Sequence, residues 1–116
     1  MLVATSIVLC VTAAANAAIA IADLLRAEFV LANSAEVGVP QRWLPALAAL
    51  KAAGAGGILL WFAHVPAIPV LAGVGLVAFY LTAIAVHVRT GVLHNLAFPG
   101  AYLALAVASL WLILAA

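Results

Sequence analysis

Charged side chains are scarce in this chain: four Lys or Arg and three Asp or Glu among 116 residues, for a formal net charge of +1. So few cations form no patch able to neutralise a phosphate backbone, which excludes nucleic acid as a partner. Cysteine is nearly absent as well. Cys10 stands alone, so neither an internal disulfide nor a multi-cysteine metal site can form, and the thiol is expected only to pack as a small apolar group. A cofactor fingerprint and a nucleophile set beside its base are also missing. No catalytic residue is therefore assigned, and no bound metal or cofactor is expected.

What is present is apolar. Hydrophobic residues make up 71% of the chain, against about half in a soluble domain. A spanning helix takes about 20 mostly apolar residues, so this length holds four spans in one compact domain, residues 1–116, and little else. The first run, residues 2–25, is broken only by Thr5, Ser6, Thr12, Asn16 and Asp23. Ala15-Asn16-Ala17 resembles a leader cleavage site, but the basic n-region is missing and apolar sequence continues past the supposed cut. The segment therefore reads as an uncleaved helix. Residues 26–40 carry Arg26, Glu28, Asn33, Ser34, Glu36, Gly38 and Pro40 and read as a long polar loop. Its Phe29-Val30-Leu31 patch is a candidate for lying along the bilayer surface.

Further spans are expected over residues 41–63, 67–88 and 93–115. Trp43 and Trp61 fall where interfacial aromatics anchor the second span. Pro45 stands near its start, His64-Val65-Pro66 with Pro69 makes a reversal, and Arg89-Thr90-Gly91 makes a stop. Pro99-Gly100 falls either in the first turn of the last span or at a kink. The expected fold is all-α: a polytopic membrane protein with four transmembrane helices in an antiparallel bundle. Arg26, Arg42 and Arg89 border the first and third loops, whereas the termini and the second loop carry no Lys or Arg. The positive-inside rule then places those two loops in the cytoplasm and both termini outside.

Helical spacing tells where the few polar residues point, because positions seven or four apart share a face. Thr5, Thr12, Asn16 and Asp23 align on the first span, Gly73, Tyr80 and His87 on the third, and Asn95, Tyr102 and Ser109 on the last. On the second span Trp43, Leu47, Lys51 and Gly54 share a face, with Lys51 its one strongly polar member. An ionised side chain in hydrocarbon costs about 2.5–3.5 kcal/mol on insertion scales. Lys51 lies about 13 Å along the helix from Arg42, farther than its stem reaches by snorkelling. An ion pair with Asp23, or a hydrogen bond to Asn16, is expected. The small-residue rows Ala49, Ala53, Gly57 and Ala52, Gly56 suit a close helix contact that makes the second span central, with Gly73 and Gly75 giving the third a similar approach.

The runs Val37-Gly38-Val39-Pro40, Leu50-Lys51-Ala52-Ala53-Gly54-Ala55-Gly56-Gly57, Gly75-Leu76-Val77 and Ala85-Val86-His87-Val88-Arg89-Thr90-Gly91 together resemble the DoxX-like family over nearly the whole chain. The resemblance implies a four-helix integral protein of the bacterial cytoplasmic membrane. Relatives in the wider DoxX group are associated with quinone-linked thiosulfate oxidation or serve as small subunits of membrane oxidoreductase complexes. The first span departs from the commoner pattern, a small-residue pair followed by a lysine, because here Asp23 precedes Arg26. Lys51, His87 and Arg89 match as family-like positions; catalysis is not carried over.

Two functional readings stand side by side with purely structural polar packing. One is an accessory subunit or partner of a larger membrane complex, or a homo-oligomer, embedded in the lipid bilayer. The other is a site for a quinone or another lipid-like ligand, formed by Asn16, Asp23, Lys51, Tyr80, His87 and Tyr102. A small multidrug-type exporter matches in length and helix number. Its central proton-coupled carboxylate has no counterpart here, and Asp23 near a helix end is a poor substitute.

Overall fold

The computed structural model describes residues 2–116, and these form helices joined by short turns, with no strand among them. Four helices are long and apolar enough to cross a bilayer. Helix α1 covers Leu2–Leu24; α3, Leu44–Leu59, is extended at both ends by 3-10 turns at Gln41–Trp43 and Leu60–Ala63; α4 covers Ile68–Arg89 and α5 Ala97–Ala115. Helix α1 packs on α3 and α5, and α4 packs on the same two, so the helices stand in a ring in the order α1, α3, α4, α5. The expectation of a central second span is corrected: α3 is one of four equivalent staves. The long dimension is 39 Å, close to a bilayer with its headgroup regions, about 40–45 Å. No more than a third of any span's most apolar window is buried; the remainder presents Leu, Ile, Val and Phe outward, as lipid requires.

The expected long loop contains a helix of its own. Helix α2, Glu28–Glu36, follows a turn at Arg26, whose φ is 54°. Val30 does not lie along the bilayer surface: it is buried against Ile19 of α1 and Leu44 of α3, while Phe29 remains half exposed. An amphipathic helix of nine residues has too few turns to show a period in the sequence. Helix α5 also starts four residues later than expected, because Val92–Leu96 is held in turns where His94 meets Glu36 and Asn95 meets Asn33 of α2. Helix α2 thereby closes the end of the bundle at which α1 and α4 finish and α3 and α5 begin. Pro45 and Pro99 both fall in first turns, where a missing N–H costs nothing.

Between lipid-bathed helices, close packing and hydrogen bonds replace the hydrophobic drive. Gly57 lets Ala72 of α4 approach to 2.6 Å from where a Cβ would stand, and a Cβ on Gly54 would run into Leu76. Gly56 faces open space, so the contact row is Gly54 and Gly57, with Ala52 and Gly56 outside. Gly73 meets Leu110 of α5, and Gly75 meets nothing within 4 Å. Cys10 is exposed on α1 and faces outward, not into the packing.

Candidate functional site

Lys51 sits in the second turn of α3, and its Nζ donates to Asp23 Oδ2 at 2.7 Å. The two side chains are 11% and 3% exposed. Asp23 comes from the last turn of α1, so the crossing of α1 and α3 brings together charges 28 positions apart in the chain. The Phe79 ring of α4 lies 5.3 Å from the ammonium and gives its other side a cation–π partner. A lone cation in this apolar interior becomes a neutral pair with both partners satisfied.

Deeper in the bundle the polar stripes meet. Tyr80 of α4 donates across the ring to Asn16 Oδ1 of α1, and Asn16 Nδ2 donates to the Thr12 carbonyl at 2.8 Å. Thr12 shares a 2.7 Å hydroxyl–hydroxyl bond with Ser109 of α5, and the Tyr102 hydroxyl donates to the Ala15 carbonyl at 3.1 Å. These bonds hold α1, α4 and α5 in register. Asn16 is fully buried with both amide ends engaged, so it orients Tyr80.

Toward the α2 end, the Nδ1 of His87 bonds the Ala83 carbonyl at 2.8 Å and its Nε2 meets Asn33 Oδ1 at 3.1 Å. Asn95 Nδ2 donates to the same oxygen at 2.7 Å, while Asn95 Oδ1 is buried with no hydrogen-bond partner among the described residues.

These groups share a cavity of about 1110 Å³. Its floor holds Asp23, Lys51, Tyr80 and His87; Asn33 and Asn95 stand at one end; Leu50, Ala53, Leu71, Gly75, Ala78 and Thr82 line its outer part on α3 and α4. These outer residues are exposed on the lipid-facing side, so the cavity opens sideways between α3 and α4. An aromatic wall runs along it. Phe29 lies 6.1 Å from Phe98, Phe98 stacks on Tyr102 at 5.5 Å and 19°, Tyr102 lies 5.3 Å from Tyr80, and Tyr80 lies 5.1 Å from Phe79. Trp43 stands at the rim.

Of the residues singled out in the sequence, Asp23, Lys51, Tyr80, His87 and Tyr102 line this cavity, whereas Asn16 lies behind it. Phe79, Phe98 and Asn33 were not singled out. Phe98 and Tyr102 are spaced four apart, a signal that could have marked the aromatic face; Asn33 had none, because its partners come from the far end of the chain.

The model of the DoxX-like family matches residues 7–109. The chain belongs to the DoxX-like family. No curated protein and no solved structure matches it. The match takes in every cavity-lining residue of this DoxX-like protein, from Ile19 to Tyr102. The DoxX-like chain is a small multi-pass integral membrane protein, with Thr12, Asn16, Asp23, Lys51, His87 and Ser109 buried on the bundle interior.

Proposed function

We propose that this protein binds a flat, lipid-soluble molecule with a polar head, of the quinone class, in the cavity between α3 and α4. The observation that carries the reading is a large apolar cavity open to the lipid side and floored by a buried ion pair. Its volume exceeds the range of about 300–1000 Å³ usual for drug-sized ligands. The lateral opening suits a molecule that arrives through the bilayer, the aromatic wall suits a flat ring, and Lys51 and Asn33 supply hydrogen bonds to a polar head, with His87 holding Asn33 from behind. The cavity holds proton-carrying groups, but no residue set for bond-breaking, so binding without catalysis is the function proposed. The protein is further proposed to reside in the bacterial cytoplasmic membrane with α2 on the cytoplasmic side, since Arg26, Arg42 and Arg89 all border that end.

Gly75 gives a direct test, because it lines the cavity and a Cβ there meets nothing. Gly75→Leu fills the space while improving helix propensity by about 1 kcal/mol. In nanodiscs, binding of a decyl-naphthoquinone probe should weaken at least about tenfold, with unfolding resistance unchanged or raised. Absence of saturable binding to the wild type, or full binding to Gly75→Leu, would sink the reading.

A second reading, a subunit or partner in a larger membrane assembly or homo-oligomer, is favoured by the outer face of α5. Gly100, Ala104 and Ala108 recur there every fourth residue beside Trp111, along a shallow apolar groove. Native mass spectrometry from mild detergent checks it: a strictly monomeric species without co-purifying protein counts against it.

A further inference from the structure

The cluster of His87, Asn33 and Asn95 obeys a stricter logic than proximity. The Ala83 carbonyl can only accept, so His87 Nδ1 carries a hydrogen. Nε2 faces Asn33 Oδ1, which also accepts from Asn95 Nδ2. With Nδ1 already protonated, Nε2 can face that oxygen only as a second N–H, which makes the ring an imidazolium. A neutral ring presents Nε2 as an acceptor, and Asn33 must then turn its NH2 toward it. The two hydrogens of that NH2 serve Nε2 and, after the same half-turn at Asn95, the Asn95 oxygen. The two ends of a carboxamide are nearly equal in size, so both arrangements fit the same space. Each leaves one group of Asn95 unpaired: the oxygen with an imidazolium, the NH2 with a neutral ring. Neither is therefore favoured by hydrogen-bond count, and the proton on His87 decides.

Asn33 is among the residues that line the cavity, and its Oδ1 is the end tied to His87 and Asn95, which leaves the opposite end of the carboxamide for a ligand. We propose that the protonation of His87 selects the ligand head: a carbonyl when the ring is imidazolium and Asn33 offers NH2, a hydroxyl when the ring is neutral and Asn33 offers oxygen. The proposal rests on the ligand-binding reading of the cavity and makes Asn33 its specificity-determining residue. Other titratable groups on the neighbouring elements are engaged elsewhere. Asp23 of α1 is paired with Lys51 of α3, Glu36 of α2 meets His94 of the α4–α5 connection, and the Tyr80 and Tyr102 hydroxyls bond α1. The remaining charges at this end of the bundle are Arg26 in the α1–α2 turn, Glu28 of α2, Arg42 in the 3-10 turn before α3, and Arg89 of α4, two residues beyond His87.

The test uses the full chain in nanodiscs and a redox-inert matched pair, a long-chain naphthyl ketone and the corresponding secondary alcohol, between about pH 5 and about pH 8, the range over which histidine titrates. The alcohol-to-ketone affinity ratio should rise about three- to tenfold with pH, the worth of one hydrogen bond. At fixed pH, saturating ketone should raise the imidazolium fraction of His87, read from its ring nitrogen resonances. Asn33→Leu should make the ratio independent of pH. Two probes that bind with a constant ratio overturn this inference and leave the cavity reading standing, and a ratio that still shifts in Asn33→Leu also overturns it. Failure of both probes to bind at any pH overturns the cavity reading and the inference together.

Discussion

Lys51 and Asp23 are each tolerable only because of the other. Asp23→Asn leaves an ammonium in an apolar interior and should destabilise the protein by about 3–5 kcal/mol, whereas Asp23→Asn combined with Lys51→Met should recover most of that loss. Denaturant titration followed by circular dichroism in detergent measures both. A loss below about 1 kcal/mol for Asp23→Asn would mean that the ammonium reaches water unaided. This pair was legible in the sequence because few partners exist: with seven charged residues and one half of the membrane to share, helical spacing left Asp23 as the anion on an inward face. The link from Tyr80 to Asn16 was half legible. Both positions were read as inward-facing, but spacing along one helix cannot say which group on another helix lies opposite. Asn33 illustrates the limit, since its partners His87 and Asn95 are 54 and 62 positions away and its own segment reads as loop.

Among the elements, α3 shows what periodicity cannot decide. Small residues occur on all its sides, and neither row read from the sequence is the contact: Ala52 and Gly56 face outward, and of Ala49, Ala53 and Gly57 only Gly57 is buried against α4. The usable signal was Lys51 itself: Gly54 lies three residues on and shares its inward face. Gly54→Ala should therefore push into Leu76 and cost about 1–3 kcal/mol by overpacking, while Gly56→Ala should be neutral or stabilise by up to about 1 kcal/mol through helix propensity. The same unfolding assay compares them, and equal effects would refute the assigned contact row. Helix α2 escaped sequence reading for a related reason. Its burial rests on Val30 and Ser34, two positions one turn apart, too little for an amphipathic pattern to rise above a polar segment.

At the scale of the whole molecule, the four spans and their antiparallel order were readable because a bilayer forces length and composition together. The cavity was not, since its lining comes from α1, α2, α3, α4 and α5 together and spacing along one helix does not say which residues of another lie opposite. Orientation is open to experiment. Arg26→Gln with Arg42→Gln removes cations from the α2 end and Val65→Lys adds one opposite, so a C-terminal reporter that reads outside in the wild type should shift toward the inside; an inside reading in the wild type refutes the proposed orientation. Trp43 gives the assembled molecule an optical property of its own. Of the three tryptophans, it alone borders the large cavity, whereas Trp61 and Trp111 lie away from it. A quinone in the cavity should quench the emission of Trp43 more than that of the other two, and Trp43→Phe should abolish most of the response, so occupancy can be followed by native fluorescence without any label.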